Sequence, residues 1–191
     1  MWLMSASTPD TQTLNLVVRP AELVDLDFCL TLDPSYSTEY VWQMDLRGEE
    51  GHVAVAFRTV RLPRSMRVTY PHDRDQLVAG WRRCDGFLVA EKDGHIRGYA
   101  ALTAHAPEDS VSISDLVVER VHRRQGIGTA LLHAASEWAK SRNLRWLVME
   151  TQTKNHPAIR FCEKHGFAFC GFNDHYYANQ DIAVFFARSP R

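Results

Sequence analysis

The sequence predicts a mixed fold of the α/β or α+β class, in which helices pack against a central sheet. Three observations predict it: strand-like segments are interspersed with amphipathic helical ones, turn residues separate the segments, and a chain of 191 residues suits one domain. The predicted order of elements is β-α-(ββ)-α-β-β-β-α-β-α-β-β. With 45% hydrophobic and 24% charged residues, the composition is typical of a globular protein.

The N-terminal half begins with a flexible polar arm and continues into a strand, a helix and a hairpin. Apolar residues at positions 23, 26 and 30 give the helix one buried face. Pro63 excludes a helix among the arginines at 58–67, so an extended basic connector is expected there. The predicted bounds are 1–12 for the arm, 14–19 for the strand, 21–32 for the helix, 40–44 and 53–60 for the hairpin, and 73–83 for a second helix.

The C-terminal half contains stronger patterns. Lys92-Asp93-Gly94 is typical of a hairpin turn, and Leu131, Leu132, Ala135 and Trp138 share one face of a helix. Gly166 suits the end of the last helix. The predicted strands are 87–90, 96–102, 111–118, 144–150, 167–172 and 182–186, and the predicted helices are 126–140 and 156–165.

The charge is balanced in total but unevenly distributed. The net charge is −1, without the basic excess typical of nucleic-acid binding, so no nucleic-acid partner is expected. Residues 1–50 contain nine acidic side chains and residues 51–83 contain seven arginines. These groups could simply pair with each other, or they could meet ligand groups of opposite charge in one site.

The cysteines and histidines indicate neither a metal site nor a disulfide framework. Cys29, Cys84, Cys162 and Cys170 form no CxxC pair, and His133 with Glu137 would supply only two ligands. The first residues lack a secretory signal, and no apolar run approaches the ~18 residues of a membrane span. We therefore expect a cytoplasmic protein with reduced thiols, no metal and no membrane partner.

The most informative segment follows the predicted strand at 111–118, where a basic turn leads into a helix beginning Gly126-Ile127-Gly128. The first amides of a helix lack intrahelical acceptors, and the helix dipole adds partial positive charge. Glycine lacks the Cβ atom that would keep a phosphate away from those amides. The segment therefore predicts an anion-binding loop, the alternative being a tight turn without a ligand.

Two common phosphate-binding loops fit this segment less well. A dinucleotide loop requires glycine or alanine at position 131, where this chain has Leu131, although Glu150 falls where a ribose-binding acid would lie. The phosphate loop of nucleotide hydrolases requires Gly-Lys-Ser/Thr, which does not follow here.

Two segments resemble the motifs of the GNAT family of N-acetyltransferases. Residues 123–128, Arg-Arg-Gln-Gly-Ile-Gly, resemble the signature Arg/Gln-x-x-Gly-x-Gly/Ala, and residues 155–167 resemble Asn-x-x-Ala-x-x-Phe-Tyr-x-x-x-Gly-Phe. Residues 138–140, 149–152 and 177–179 are similar to the streptothricin acetyltransferase branch. The resemblance implies a single N-acetyltransferase domain over 1–191. Its central sheet would be mixed and mostly antiparallel, flanked by helices, with an extra N-terminal hairpin and connector at 38–70.

The resemblance also implies acetyl-CoA as co-substrate and assigns residues to it. The backbone of Leu116, Val117 and Val118 would run beside the pantetheine and polarise the thioester carbonyl, and Asn155 and Phe161 would border the pantetheine and its thiol end. The pyrophosphate would lie on the backbone amides of Arg123, Arg124, Gln125, Gly126, Ile127, Gly128 and Thr129.

Direct transfer to an amine requires a base, because an ammonium cannot attack the thioester. Glu150 is the first candidate and Asp115 the second, although either could be a structural or solvent-facing acid. The family's second motif usually carries tyrosine as the acid for the departing thiolate, whereas this chain has Cys162. Cys162 could donate the proton or be a small buried residue, and Tyr177, or less favourably Tyr176, could donate instead.

The expected acceptor is a small molecule with a primary amine, such as a streptothricin-like antibiotic. Tyr40, Trp42 and Asp45 of the hairpin could wall its cleft or could serve only in packing. The alternatives are a protein N-terminal or lysine acetyltransferase and a non-catalytic CoA-binding sensor. Members of the family are often dimers, which leaves a homodimer open as a partner.

Overall fold

A seven-stranded mixed sheet is the centre of the fold. The computed structural model describes residues 16–71, 74–105 and 108–190. The elements are β1 (Leu16–Pro20), α1 (Asp25–Cys29), β2 (Tyr36–Glu49), β3 (His52–Val68), α2 (Arg74–Arg83), β4 (Gly86–Lys92), β5 (His95–His105), β6 (Ser110–Val118), α3 (Ile127–Ser141), β7 (Trp146–Gln152), α4 (His156–Lys164), β8 (Ala168–Asn173) and β9 (Ala183–Arg188). The strand order is β1-β4-β5-β6-β7-β9-β8, and within these described ranges only β6 and β7 pair in parallel. The predicted fold class and element order are confirmed.

The two faces of the sheet are covered by different helices. Alternate residues of β4 point to opposite sides, so Leu88 and Ala90 join one apolar cluster while Phe87 and Val89 join the other. Helices α3 and α4 complete the first cluster, and α1 and α2 complete the second. Helix α3 approaches β5 closely at Gly98, where a Cβ atom would lie 2.6 Å from the Val117 carbonyl oxygen. A side chain at that position would therefore force α3 or β6 to move.

The parallel strands β6 and β7 pair only over their first residues. Their register ends at Ile113 and Met149, and among the described residues no strand pairs with the remainder of β6 on that side. A β-bulge lies at this point, because Ile113 pairs with Leu102 and Asp115 pairs with Ala101, which leaves Ser114 unpaired with β5. The two strands thus enclose a gap at the centre of the sheet.

The hairpin β2–β3 forms a second, two-stranded sheet that is longer than predicted. The extended conformation expected at 58–67 is present, but it belongs to β3, which continues to Val68, and does not form a separate connector. The register shifts between Thr38, which pairs with Met66, and Tyr40, which pairs with Arg61. Pro63 lies between these two pairs and has no ladder partner, so the sheet tolerates its missing N–H. The backbone N–H of Trp42 donates to the Thr153 carbonyl at 2.9 Å, which attaches the hairpin to the end of β7.

The N-terminal segment differs from the sequence expectation in one helix. The helix predicted at 21–32 is regular only over α1, because the residues on either side form turns. In these turns Asp25 N–H donates to Glu22 O, and Leu32 N–H donates to Cys29 O.

Elsewhere in the chain, a 3-10 turn at Arg120–His122, after β6, was not predicted. The polar arm predicted at 1–12 lies outside the described residues.

Several of the opposite charges noted in the sequence pair with each other. Arg58 forms an ion pair with Asp45, and Arg67 lies 3.7 Å from Asp33. Arg19 binds the buried carboxylate of Asp25. Part of the acidic excess at 1–50 is therefore neutralised by arginines of the fold.

Candidate active site

The gap between β6 and β7 exposes backbone groups of β6. Glu119 N–H donates to Arg97 O on β5, and antiparallel residues alternate between hydrogen-bonded and non-bonded pairs. By this alternation Val117 bonds to β5, while Leu116 and Val118 turn their amide and carbonyl groups toward the gap, where the Val118 carbonyl already accepts a hydrogen bond of 2.9 Å from Arg123. An extended ligand entering the gap could therefore hydrogen-bond to β6 as a further strand would.

The turn before α3 forms a concavity that suits an anion. Arg124 and Gly126 both have positive φ, 65° and 87°, which curls the chain so that successive amides point inward. No described residue accepts a hydrogen bond from the backbone amides of residues 124–129. These amides lie at the N-terminus of a 15-residue helix, where partial positive charge favours an anion. The geometry fits a pyrophosphate.

The side chain of Arg123 hydrogen-bonds to backbone carbonyl groups. Its guanidinium donates to the Val118 carbonyl at 2.9 Å, to Ser35 O at 2.7 Å and to Asp33 O at 3.3 Å. Burial lowers the pKa of Arg123. Its backbone amide donates to Arg120 O at 3.4 Å rather than pointing into the concavity. Arg123 thus braces the loop, while the side chain of Arg124 is exposed.

Other predicted donor-binding residues surround this loop. Gln125 accepts a hydrogen bond of 2.5 Å from Lys92, a lysine that is only 9% exposed. Ile127 is buried in the core, and the Thr129 hydroxyl lies 3.3 Å from His165 Nε2. Gly128 faces Phe161, Leu116 and Val118, whose side-chain atoms would contact a Cβ at 3.5–3.7 Å. The structure therefore brings the two sequence motifs together at one end of the gap.

The opposite end of the gap opens into a cleft with polar side chains. Asn155 caps α4, because its side chain accepts a hydrogen bond of 3.1 Å from the Ala158 amide. The cleft is lined by Tyr70, Pro71, Ile113, Ser114, Leu116, Met149, Glu150, Thr151, Gln152, Asn155, Ala158 and Tyr177.

Glu150 and Tyr177 of the cleft form a hydrogen-bonded group with Tyr176, which does not line the cleft. Tyr176 donates a hydrogen bond of 2.9 Å to Oε2 of Glu150, and Tyr177 donates one of 3.4 Å to Oε1. Burial and the Glu150 charge raise the pKa of Tyr176 to about 12. The same causes raise the pKa of the more buried Tyr177 further. Both hydroxyls are thus protonated, hydrogen-bond-donating groups at neutral pH.

Asp115 lies on the same face of the sheet as Glu150 because of the bulge at Ser114. Without the extra residue, Asp115 would share the face of Ile113, which packs under α3 and α4. Asp115 is 7% exposed and accepts a hydrogen bond of 2.8 Å from Tyr70. Burial, followed by the charge of Asp115, raises the pKa of Tyr70. Sequence reasoning missed Tyr70, since it comes from the end of the hairpin and carries no motif.

Cys162 lies in the apolar core and is fully buried. Its thiol contacts the sulfur of Met149 at 3.9 Å, and burial raises its pKa to about 12. It is not among the residues that line the cleft.

The hairpin residues considered for the acceptor cleft divide into two groups. Trp42 packs against aromatic rings of β3, β8 and β9, and Asp45 pairs with Arg58 at 3.2 Å. Tyr40 contacts the ring of His156, at the start of α4. Tyr36 instead reaches the cleft wall, where its hydroxyl donates to Gln152 at 2.9 Å.

Comparison with known proteins agrees with this arrangement. Residues 38–167 match the model of the acetyltransferase (GNAT) family. The chain is 30% identical to the streptothricin acetyltransferase of Streptomyces lavendulae over 164 residues, which cover 83% of this chain and 85% of that protein. It is 40% identical over 77 residues to streptothricin acetyltransferase A of Bacillus subtilis, covering 38% and 44% of the two chains.

Solved structures show the same fold. A nourseothricin acetyltransferase superposes with a TM-score of 0.79 at 22% identity, covering 92% of this chain and 99% of the other. A Bacillus anthracis protein solved with acetyl coenzyme A gives a TM-score of 0.75 at 23% identity, with the same coverage.

The chain belongs to the GNAT family. It is an acetyl-CoA-dependent N-acetyltransferase, related to the streptothricin acetyltransferases. Within the described residues, no helix has the length and apolar character needed to cross a membrane. All four cysteines are free thiols.

Proposed function

We propose that the protein acetylates a primary amine of a small cationic molecule, with Glu150 as base and Tyr177 as acid. The observation that carries this proposal is the hydrogen-bonded group of Glu150, Tyr176 and Tyr177 at the point where β6 and β7 separate. A carboxylate there can attract an ammonium and accept its proton. A cytoplasmic location is part of the proposal, since free thiols are typical of a reducing compartment.

The proposed donor site consists of backbone groups that suit the extended, anionic shape of acetyl-CoA. The amides of residues 124–129 would hold the pyrophosphate, and the backbone of Leu116 and the amide of Val118 would bond to the pantetheine. Acetyl-CoA supplies the activated acetyl group. An amide of β6 near the thioester would stabilise the negative charge that develops on its oxygen, an effect worth about 3–4 kcal/mol for one well-placed donor.

The proton steps use groups that already touch each other. Glu150 takes one proton from the ammonium, directly or through water, and passes it to solvent, which leaves a neutral amine. As the amine nitrogen bonds to the acetyl carbon, Glu150 takes a second proton from that nitrogen. The carbon–sulfur bond breaks, and Tyr177 gives its proton to the departing sulfur. Tyr177 then regains a proton from Glu150 through their hydrogen bond of 3.4 Å. The amide and the free thiol leave, and the two side chains return to their starting states.

The contact between Glu150 and Tyr177 also sets the order of these steps. Burial is the main cause that raises the pKa of Tyr177, and the negative charge of Glu150 is the next. When Glu150 takes the proton from the amine, that charge disappears. Tyr177 therefore becomes a stronger acid at the stage when the sulfur needs its proton.

The relatives support a streptothricin-like acceptor. The S. lavendulae relative is a streptothricin acetyltransferase, and the chain covers 85% of its length. Asp115 and Glu150 put two carboxylates on one face of the sheet beside the cleft, which suits a cationic antibiotic.

Protein N-terminal acetylation is a second candidate, favoured by one comparison. The chain is 32% identical over 93 residues to a Bacillus subtilis protein described as a putative [ribosomal protein bS18]-alanine N-acetyltransferase, and covers 60% of it. Peptide binding requires an open groove, whereas Tyr36 and Tyr70 of the hairpin ends border the cleft in this chain. The small-molecule acceptor is therefore the better supported of the two.

The proposal is tested by acetyl transfer with purified protein. The assay follows release of the CoA thiol and the mass of the acceptor, using streptothricin, simple diamines, and peptides with N-terminal alanine. We expect streptothricin to gain one acetyl group with a kcat/KM at least about tenfold above the peptides. Preferential acetylation of the peptides would overturn the proposal in favour of the second candidate. Thiol release that leaves every acceptor at its original mass would overturn both candidates, because it would show hydrolysis of acetyl-CoA without transfer.

A further inference from the structure

A second polar cluster lies beside the proposed proton-transfer residues and is centred on Asp181. The Asp181 side chain is only 9% exposed and forms an ion pair with Lys154. Its carboxylate also accepts hydrogen bonds from the Gln152 side chain at 2.8 Å and from the Asn179 side chain at 3.0 Å. None of these four side chains has a part in the chemistry described above.

The backbone of Asp181 closes the loop that carries the two tyrosines. Its carbonyl accepts the amides of Tyr176 at 3.2 Å and Tyr177 at 3.4 Å, and its own amide donates to the Asn179 side chain at 3.1 Å. His175 and Gln180, at the two ends of this turn, have positive φ values of 56° and 63°. Such conformations cost roughly 1–2 kcal/mol for residues other than glycine, so contacts must hold the loop in this shape.

The other side of the cluster belongs to β7 and the hairpin. Gln152 is 1% exposed, and its side-chain oxygen accepts the Tyr36 hydroxyl at 2.9 Å. Gln152 follows Glu150 by two residues on the same strand, so both side chains point to the same face. Asp181 therefore links the tyrosine loop to the strand that carries Glu150.

We propose that Asp181 is a positioning residue that fixes the loop at 174–181, so that the hydroxyls of Tyr176 and Tyr177 stay on the two oxygens of Glu150. The inference rests on the roles proposed above for Glu150 and Tyr177. Loss of the Asp181 charge would loosen the loop relative to β7 while leaving the amides of residues 124–129 in place. Loss of this charge should therefore lower kcat and leave the KM for acetyl-CoA nearly unchanged.

The test compares Asp181→Asn with the matched control Asp174→Asn, which alters an exposed carboxylate of the same loop. For Asp181→Asn we expect kcat to fall about tenfold or more, with the KM for acetyl-CoA changed by less than about twofold. Hydrogen exchange of the Tyr176 and Tyr177 amides should quicken in Asp181→Asn and not in the control. Wild-type kcat together with wild-type exchange in Asp181→Asn would overturn the inference.

A second variant covers the case in which Asp181→Asn fails to fold. Asn179→Ala removes the two hydrogen bonds that Asn179 makes with Asp181 while keeping the carboxylate and Lys154. It should show the same faster exchange and the same selective loss of kcat, and a wild-type result would overturn the inference. The exchange measurement needs no acceptor. If the wild-type enzyme acetylates no amine, the proposed function fails, but exchange still decides whether Asp181 holds the loop.

Discussion

Tyr177 donates a hydrogen bond of 3.4 Å to Oε1 of Glu150, so the proposed acid and base of the reaction are in direct contact. Glu150 comes from β7, whereas Tyr177 comes from the loop before β9. Tyr176 donates a hydrogen bond to the other carboxylate oxygen, so the two tyrosines together orient the Glu150 side chain. A nearly isosteric substitution can remove the carboxylate of Glu150 or the hydroxyl of either tyrosine, so the roles of the three side chains can be measured separately.

Replacing Glu150 with glutamine should lower kcat by about 10²–10⁴-fold, because the amide cannot take a proton from the ammonium. The KM for acetyl-CoA should stay within about twofold of the wild-type value, since the donor loop is untouched. Steady-state kinetics with both substrates checks this. Glu137→Gln, on the exposed face of α3, is the control. Normal turnover in Glu150→Gln would transfer the role of base to Asp115.

Tyr177→Phe should lower kcat by about 10–100-fold, whereas Tyr176→Phe should have a clearly smaller effect. The reason is position: Tyr177 is 9% exposed and lines the cleft, while Tyr176 is 44% exposed and does not. The measurement is kcat for both variants with the same acceptor. Equal losses would indicate that both hydroxyls act only by orienting Glu150.

The order of the elements was predictable because its signals are local. Gly126 and the strand–helix junction around it are readable from residue types alone, and the structure gives that glycine a φ of 87°. The strands of the C-terminal half were found because their apolar runs end at turn residues such as Asp93 and Gly94.

The cleft side chains were harder to predict because their arrangement depends on non-local events. Ser114 is an ordinary strand residue, yet the bulge at this position turns Asp115 to the face of Glu150. Tyr70 reaches Asp115 from 45 residues away along the chain. Arg123 belongs to a motif that suggests a phosphate ligand, but its guanidinium binds three backbone carbonyls. No local pattern encodes these contacts.

Gly126→Ala should weaken both folding and donor binding. An alanine at a φ of 87° costs about 1–2 kcal/mol and would flatten the concavity that collects the amides. We expect a lower Tm and a KM for acetyl-CoA raised about tenfold. Gly94→Ala, at a φ of 76° in the turn between β4 and β5, is the matched control, because it carries the same backbone cost and should lower the Tm without changing that KM. A wild-type KM in Gly126→Ala would show that the concavity is not needed for the donor.

Asp25→Asn should destabilise the fold in a way that depends on pH. Asp25 is 3% exposed and accepts two hydrogen bonds from Arg19, at 2.6 and 3.0 Å, and one from the Glu22 amide. The Arg19 hydrogen bonds lower the pKa of Asp25 below its ordinary value of 3.8, so its stabilising contribution is present above that pH and is lost as the pH falls through the folded-state pKa. At pH 7 the variant should lose about 1–3 kcal/mol of the free energy of unfolding, measured in urea. The difference from wild type should shrink steadily below about pH 4.

Asp27→Asn, on the same short helix but exposed, should show neither the loss nor its pH dependence. An Asp25→Asn deficit that is the same at pH 7 and pH 3 would mean that lost packing, and not lost charge, causes it.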